Sequence, residues 1–310
     1  MLGSELAYAA LAVRDVESVA HVFERQLQLR RANLDSGAGD KIAAFSVGKS
    51  TLALFPLGHP GIAGAMRPGV HHIALAVRDL EVGVDAAAKA GVPAVTGNAE
   101  VGLGGRRRMA LEEHATAHVR TWLTESLDLE RATSPLVERL DHLGVASADN
   151  ASCIDAWSRR LGCPIESQQT DMEVMIPVES FTSDRHGVVY HSRAPIPIAG
   201  LRVAFITVGD TELEFLQNFD AKQLGHVERG TAGTTRQDQG AIAKFVAGRG
   251  PGLHHVAFKT PDIDGVLRSL DQAGVPLIDQ VGRPGSRTGL IGFVHPHGTG
   301  GVLVHFDQRP

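Results

Sequence analysis

The stretch Gly69-Val-His-His-Ile-Ala-Leu-Ala-Val-Arg-Asp79 returns half a chain later as Gly252-Leu-His-His-Val-Ala-Phe-Lys-Thr-Pro-Asp262. Two weaker copies, Ala7-Tyr-Ala-Ala-Leu-Ala-Val-Arg-Asp15 and Asp141-His-Leu-Gly-Val-Ala-Ser-Ala-Asp149, make four. Each reads as an apolar strand that ends on an Asp able to accept from the first free amides of a helix. Apolar residues follow at helical spacing, as in Val16, Val19, Ala20, Phe23 and Leu27, or Ile263, Val266, Leu267 and Leu270. Ala90-Gly-Val-Pro93 and Ala273-Gly-Val-Pro276 then supply the Gly and Pro that stop a helix.

Further strand candidates follow every helix, for instance 41–47 with 50–55 and 201–208 with 211–216. The repeating unit is therefore β-α-β-β-β, written four times. This predicts an α+β fold of two paired-module domains, one over residues 1–133 and one over 134–310. At 310 residues each half is large enough to build a core.

A composition of 43% hydrophobic and 21% charged residues is that of an ordinary globular protein. The formal net charge of -5 offers no general attraction to phosphate backbones or anionic lipid, so neither nucleic acid nor a membrane is an expected partner. No basic leader and no long apolar run appears, which makes the cytoplasm the default expectation. Cys153 and Cys163 lack the number and spacing of a disulfide framework or zinc motif. Arg106-Arg-Arg108 reads as a solvated loop or strand edge.

If the modules are equivalent, the ligands of one metal come from matching strand positions. His142 matches His255 on the first strands. Aligning Thr211-Glu-Leu-Glu-Phe-Leu216 with Val302-Leu-Val-His-Phe-Asp307 matches Glu214 with His305. Alternation turns Val302, Val304 and Phe306 to the helices and Leu303, His305 and Asp307 to the other face. His142, Glu214, His255 and His305 form an imidazole and carboxylate set suited to a divalent ion. Candidates for that ion are Zn, Co, Ni, Mn and Fe(II). The N-terminal counterparts, Tyr8, about Leu54, His72 and about Thr121, cannot hold one. Alternation also expects His71 and His254 to face away from His72 and His255.

Outside these strands, His186, Tyr190 and His191 lie in an insertion between Val178 and Gly200, which forms either a lid over substrate or a solvent-exposed loop. Arg287 and His297 fall on loops beside the last strand, either lining the pocket or forming the turn. These five are the candidate substrate-binding residues.

Leu140-Asp-His-Leu-Gly-Val145, Thr211-Glu-Leu-Glu-Phe215, Gly252-Leu-His-His-Val-Ala-Phe258, Arg283-Pro-Gly-Ser-Arg287 and Phe293-Val-His-Pro296 resemble the vicinal oxygen chelate superfamily, the group of glyoxalases, bleomycin resistance proteins and extradiol dioxygenases. The C-terminal half is most similar to methylmalonyl-CoA epimerase. The two-domain length with a degenerate first half resembles extradiol dioxygenases. Both relatives place Glu where His305 stands. The resemblance implies a metal-dependent isomerase or lyase that enolises a small carbonyl or acyl-thioester substrate, with Glu214, His305 or Glu173 as base. An Fe(II) ring-cleaving dioxygenase and a non-catalytic ligand-sequestering protein are the alternatives. A homo-oligomer is compatible with each reading.

Overall fold

The computed structural model describes residues 2–3, 5–35, 41–129, 131–194, 196–219, 240–285, 287 and 289–309. The four modules follow in the expected order. The first is β1 (Leu6–Val13), α1 (Val16–Arg25), β2 (Arg31–Ala32), β3 (Ala43–Val47) and β4 (Ser50–Pro56). The second is β5 (Gly69–Val77), α2 (Leu80–Lys89), β6 (Glu100–Val101), β7 (Arg107–Ala110) and β8 (Thr121–Glu125). In the third, β9 (Arg139–Ala146) leads into α3 (Asn150–Ile154), which continues as a π-helical segment to Arg160. β10 (Ile165–Met175), a hairpin of β11 (Val178–Ser183) and β12 (Gly187–Ser192), β13 (Ile196–Val208) and β14 (Thr211–Phe219) complete it. A helix not foreseen from sequence, α4 (Ala241–Arg249), precedes the fourth module. That module holds β15 (Gly252–Lys259), α5 (Ile263–Gln272), β16 (Arg283–Pro284), β17 (Leu290–Val294) and β18 (Leu303–Gln308).

Each pair of modules builds one eight-stranded sheet, in the orders β2-β3-β4-β1-β5-β8-β7-β6 and β10-β13-β14-β9-β15-β18-β17-β16. The first strands of paired modules lie antiparallel at the centre, and each module's last strand runs parallel beside its first. The helix starts are the anticipated ones. Asp15, Asp79 and Asp262 accept from the amides of Ser18, Val82 and Gly265 at 2.9–3.0 Å, and Asp149 accepts from Ala151 and Ser152.

The helix-facing sides of both sheets share one apolar core. It contains Phe23, Phe45, Val70 and Leu75 together with Trp157, Phe215, Phe258 and Phe306. Phe23 of α1 meets Phe258 of β15 edge to face at 5.9 Å. Trp157 Nε1 donates across the halves to the Thr116 carbonyl at 3.0 Å. The opposite faces carry separate, smaller clusters, one around Tyr8, Phe55 and Trp122 and one around Phe205, Leu216 and Ile242. Both candidate sites lie on these opposite faces.

A β-bulge recurs at the centre of every module. In β9 the residue between the pairs His142↔Ala257 and Leu140↔Phe258 is Asp141. In β15 the extra residue is His254, in β5 it is His71 and in β1 it is Ala7. A bulge sets two residues of one strand against one of its partner and breaks the alternation there. His71 and His254 therefore do not face away from their neighbours. His71 Nδ1 lies 2.8 Å from His72 Nδ1, and His254 Nδ1 lies 3.0 Å from His255 Nδ1.

Candidate metal centre

His142, Glu214, His255 and His305 converge on one face of the second sheet. All four are buried, the most exposed at 6%. Glu214 Oε2 lies 3.3 Å from His142 Nε2 and 3.4 Å from His255 Nε2, and the two Nε2 atoms lie 3.3 Å apart. The rings of His142 and His255 each sit 4.8 Å from that of His305, and one nitrogen from each of the three histidines falls within 4.8 Å of the others. The convergence depends on Gly144, which pairs with His255 across the strands; a Cβ there would overlap the His255 ring.

Charge explains what this cluster wants. Burial alone would make His142 neutral, but Glu214 and Asp141 outweigh it and push the imidazole up to about 10. Burial likewise opposes ionisation of Glu214, yet His142 and His255 hold its carboxyl well below the usual range. Burial lowers His255, and burial with the charge of His142 lowers His305 far below its ordinary value. Both His305 ring nitrogens are buried without a hydrogen-bond partner among the described residues. Orphaned imidazole nitrogens beside two further imidazoles, which in turn flank a carboxylate, fit a divalent cation, which would take the place of the proton held on His142.

Asp141 orients His142. Its carboxylate accepts from His142 Nδ1 at 2.9 Å, which turns Nε2 toward Glu214. Arg309, Arg139 and Arg287 approach that carboxylate at 2.6, 3.2 and 3.2 Å; burial opposes its charge, but His142, Arg309 and Arg139 outweigh it and keep it ionised. Burial and the nearby Asp141 push Asp307 up to about 6.

A cavity of about 360 Å³ opens on the cluster, with Leu201, Ile242, Ile278, Ile291 and Phe293 as apolar wall. Asp171 of β10 also lines it and is raised above its ordinary value, chiefly by burial. The remaining sequence candidates lie elsewhere. His186, Tyr190 and His191 sit on the exposed β11–β12 hairpin, and Tyr190 is 70% exposed. His297 is exposed on a short 3-10 turn, Pro296–Thr299. None of these four lines the cavity. Arg287 does not line it either; it stacks on Phe205, with its guanidinium carbon 3.7 Å from the ring centroid, and pairs with Asp141 and Glu212. Glu173 lies on β10 opposite Ala199, but its side chain falls outside the described residues.

The first sheet presents a different set. Register matches Tyr8, Ala53, His72 and Trp122 to the four donors, so the counterparts of Glu214 and His305 are Ala53 and Trp122 rather than Leu54 and Thr121. Arg108 of β7 fills the centre. Its Nη1 lies 2.9 Å from Tyr8 Oη and 3.2 Å from His72 Nε2, Nη2 donates to the Gly61 carbonyl, and Nε sits 2.9 Å from Glu100. Arg108 is only 3% exposed, so this part of the Arg106-Arg108 run is not solvated.

Family models for the glyoxalase/bleomycin resistance protein/dioxygenase superfamily match residues 5–116 and 141–293, one on each sheet. The chain belongs to that superfamily. Its members typically use divalent metals. Within the superfamily the chain is 26% identical over 172 residues to the uncharacterized protein YqjC of Bacillus subtilis, covering 56% of this chain and 93% of that one. It is 25% identical over 131 residues to mouse mitochondrial methylmalonyl-CoA epimerase, covering 42% of this chain and 64% of the epimerase. A mutant 4-hydroxymandelate synthase from Streptomyces coelicolor superposes with a TM-score of 0.63 over 100% of this chain and 93% of that one, at 18% identity. The last likeness is one of fold.

Proposed function

We propose that the protein is a divalent-metal-dependent isomerase or lyase that removes a proton next to the carbonyl of a small substrate or acyl thioester, with an epimerase-like proton shift as its most specific form. The observation that carries this is the fourth donor: His305 lies within 4.8 Å of ring nitrogens of His142 and His255, which themselves sit 3.3 and 3.4 Å from Glu214. His142, Glu214, His255 and His305 would hold the ion, and it would supply Lewis-acid chemistry to a substrate oxygen. An iron dioxygenase relies on two histidines and one carboxylate so that substrate and oxygen can bind together.

A bound divalent ion would polarise the carbonyl and stabilise negative charge developing on its oxygen. The chain does the rest. Glu214, pinned between two histidines with its carboxyl held low, acts as a ligand rather than a base. Asp171 lines the same cavity and is raised above its ordinary value, chiefly by burial, the properties of a group that takes up and returns a proton. The apolar wall keeps water from quenching the carbanion. Similarity to the epimerase supports an acyl thioester of coenzyme A as one substrate class.

The test is protein purified without oxygen, assayed for metal content and for solvent deuterium entering carbonyl and acyl-thioester substrates. About one metal per chain with exchange, lost by a factor of about 100 or more in Asp171→Asn, is expected. Oxygen uptake with catechols would replace this reading by a dioxygenase. A metal-free protein that still binds ligand would replace it by a sequestering protein.

A further inference from the structure

The sequence Arg67-Pro-Gly-Val-His-His72 recurs as Arg249-Gly-Pro-Gly-Leu-His-His255, and the two copies meet. They open β5 and β15, which approach each other between the halves, and Arg249 Nη1 donates to the Pro68 carbonyl at 3.3 Å. Gly69 and Gly252 hold φ values of 153° and 148°, and a Cβ at Gly252 would sit 3.2 Å from the His118 carbonyl oxygen, so the close approach needs glycine. Between the copies lies a cleft of about 630 Å³.

The two bulge histidines, His71 and His254, both line this cleft. So do Arg67, Arg120 and Arg249, against the single carboxylate of Glu113. Arg120 places Nη1 2.7 Å from His71 Nε2 and lies 3.5 Å from Glu113, so the three cations keep a surplus of positive charge. Ile62, Val70, Phe245 and Leu253 add apolar surface.

We propose that this cleft is an anion subsite, present only where the two copies of the motif meet, that holds a phosphate-type dianion on Arg67, Arg120 and Arg249. Guanidinium groups brought to one cleft from the loop before β5, the loop before β8 and the end of α4 suit a tetrahedral anion with several oxygens. His254 also lines the metal cavity, so the subsite and the candidate reaction centre share an imidazole wall. The dianion has two sources. It is a free phosphate, or it is the phosphate of a carrier whose acyl end enters the metal cavity; only the second source rests on the proposed function.

The experiment titrates pyrophosphate and coenzyme A into the metal-loaded full chain at low salt by calorimetry. Saturable binding is expected, weakened about tenfold by Arg120→Gln and by Arg249→Gln and strengthened several-fold by Glu113→Gln. Coenzyme A binding much tighter than pyrophosphate assigns the subsite to a carrier; equal affinities assign it to a free anion. Absence of saturable binding by either probe, or unchanged affinity in the folded double variant R120Q/R249Q, overturns the proposal. Should the double variant fail to fold, Arg67→Gln at its exposed position decides: a several-fold loss supports the subsite and unchanged affinity overturns it.

Discussion

The two halves share strand order, central bulge and paired histidine, yet they meet the same need for positive charge differently. The second sheet surrounds a centre with three imidazoles and a carboxylate. The first substitutes Ala53 and Trp122 for two of those donors and inserts the Arg108 guanidinium between Tyr8 and His72. A permanent side-chain cation needs no exchangeable ion and offers no open position to a substrate. One βαβββ pair thus gathers a candidate metal centre and its copy a salt-bridged core, and the difference rests on a few side chains rather than on the backbone.

The largest effect should come from removing matched histidines. His255→Ala is expected to lower metal affinity more than about 100-fold, beyond the 10–100-fold typical of groups that merely support a ligand, while His72→Ala keeps full metal content. Elemental analysis of both variants after dialysis checks this, and equal loss in the two would erase the distinction between the halves. Gly144→Ala sharpens it. The residue pairing with His72 at the corresponding place is already Ala10, so the first sheet tolerates a methyl where the second does not. Displacing the His255 ring should cost roughly tenfold in metal affinity, read by competition with a chelator.

Arg108→Met probes the other side. It removes a buried cation, the donors to Tyr8 and Gly61 and the partner of Glu100, and should destabilise the protein by about 2 kcal/mol in denaturant unfolding with metal content unchanged.

The broadest effect is on pH. Burial, then Arg120, lowers His71 from 6.5 to about 3, and burial, then His71 and Arg108, holds His72 well below 6.5. Folded-state values below unfolded ones mean that the unfolded chain takes up these protons first. Their contribution is complete above about pH 6.5 and falls as pH drops toward 3, by up to about 1.4 kcal/mol per pH unit for each histidine. Urea unfolding at pH 7, 6 and 5 measures the slope, and it should persist in His255→Ala.

The module count and helix starts were legible because they rest on local signals: an alternating run, an Asp at the cap, a Gly at the stop. The convergence of His142, Glu214, His255 and His305 was legible because the first and last strands of modules three and four align by motif, despite the insertion that lengthens module three. The bulge was not legible. It adds a residue to each first strand and turns His71 and His254 toward their neighbours, against simple alternation. The two N-terminal counterparts were misplaced by one position for a related reason, since no histidine or carboxylate marks Ala53 or Trp122 and only the strand register finds them. Arg108 was hidden in a basic run that composition assigns to solvent; its one signal is that it alternates with the exposed Arg107 on a short strand. Asp141 stood directly before His142 and could have been read as its orienting partner, whereas Asp171 becomes a candidate only once β10 places it in the cavity wall.

The apolar core shared by the two sheets has a consequence for how the molecule holds together. Phe23 and Phe258 belong to different halves but to one packed interior, so neither half has a complete interior of its own. The duplication is written in the sequence, while the packed interior spans both halves: cutting the chain near Ser134 is expected to expose aromatic surface on both fragments and to leave neither with the cooperativity of the whole.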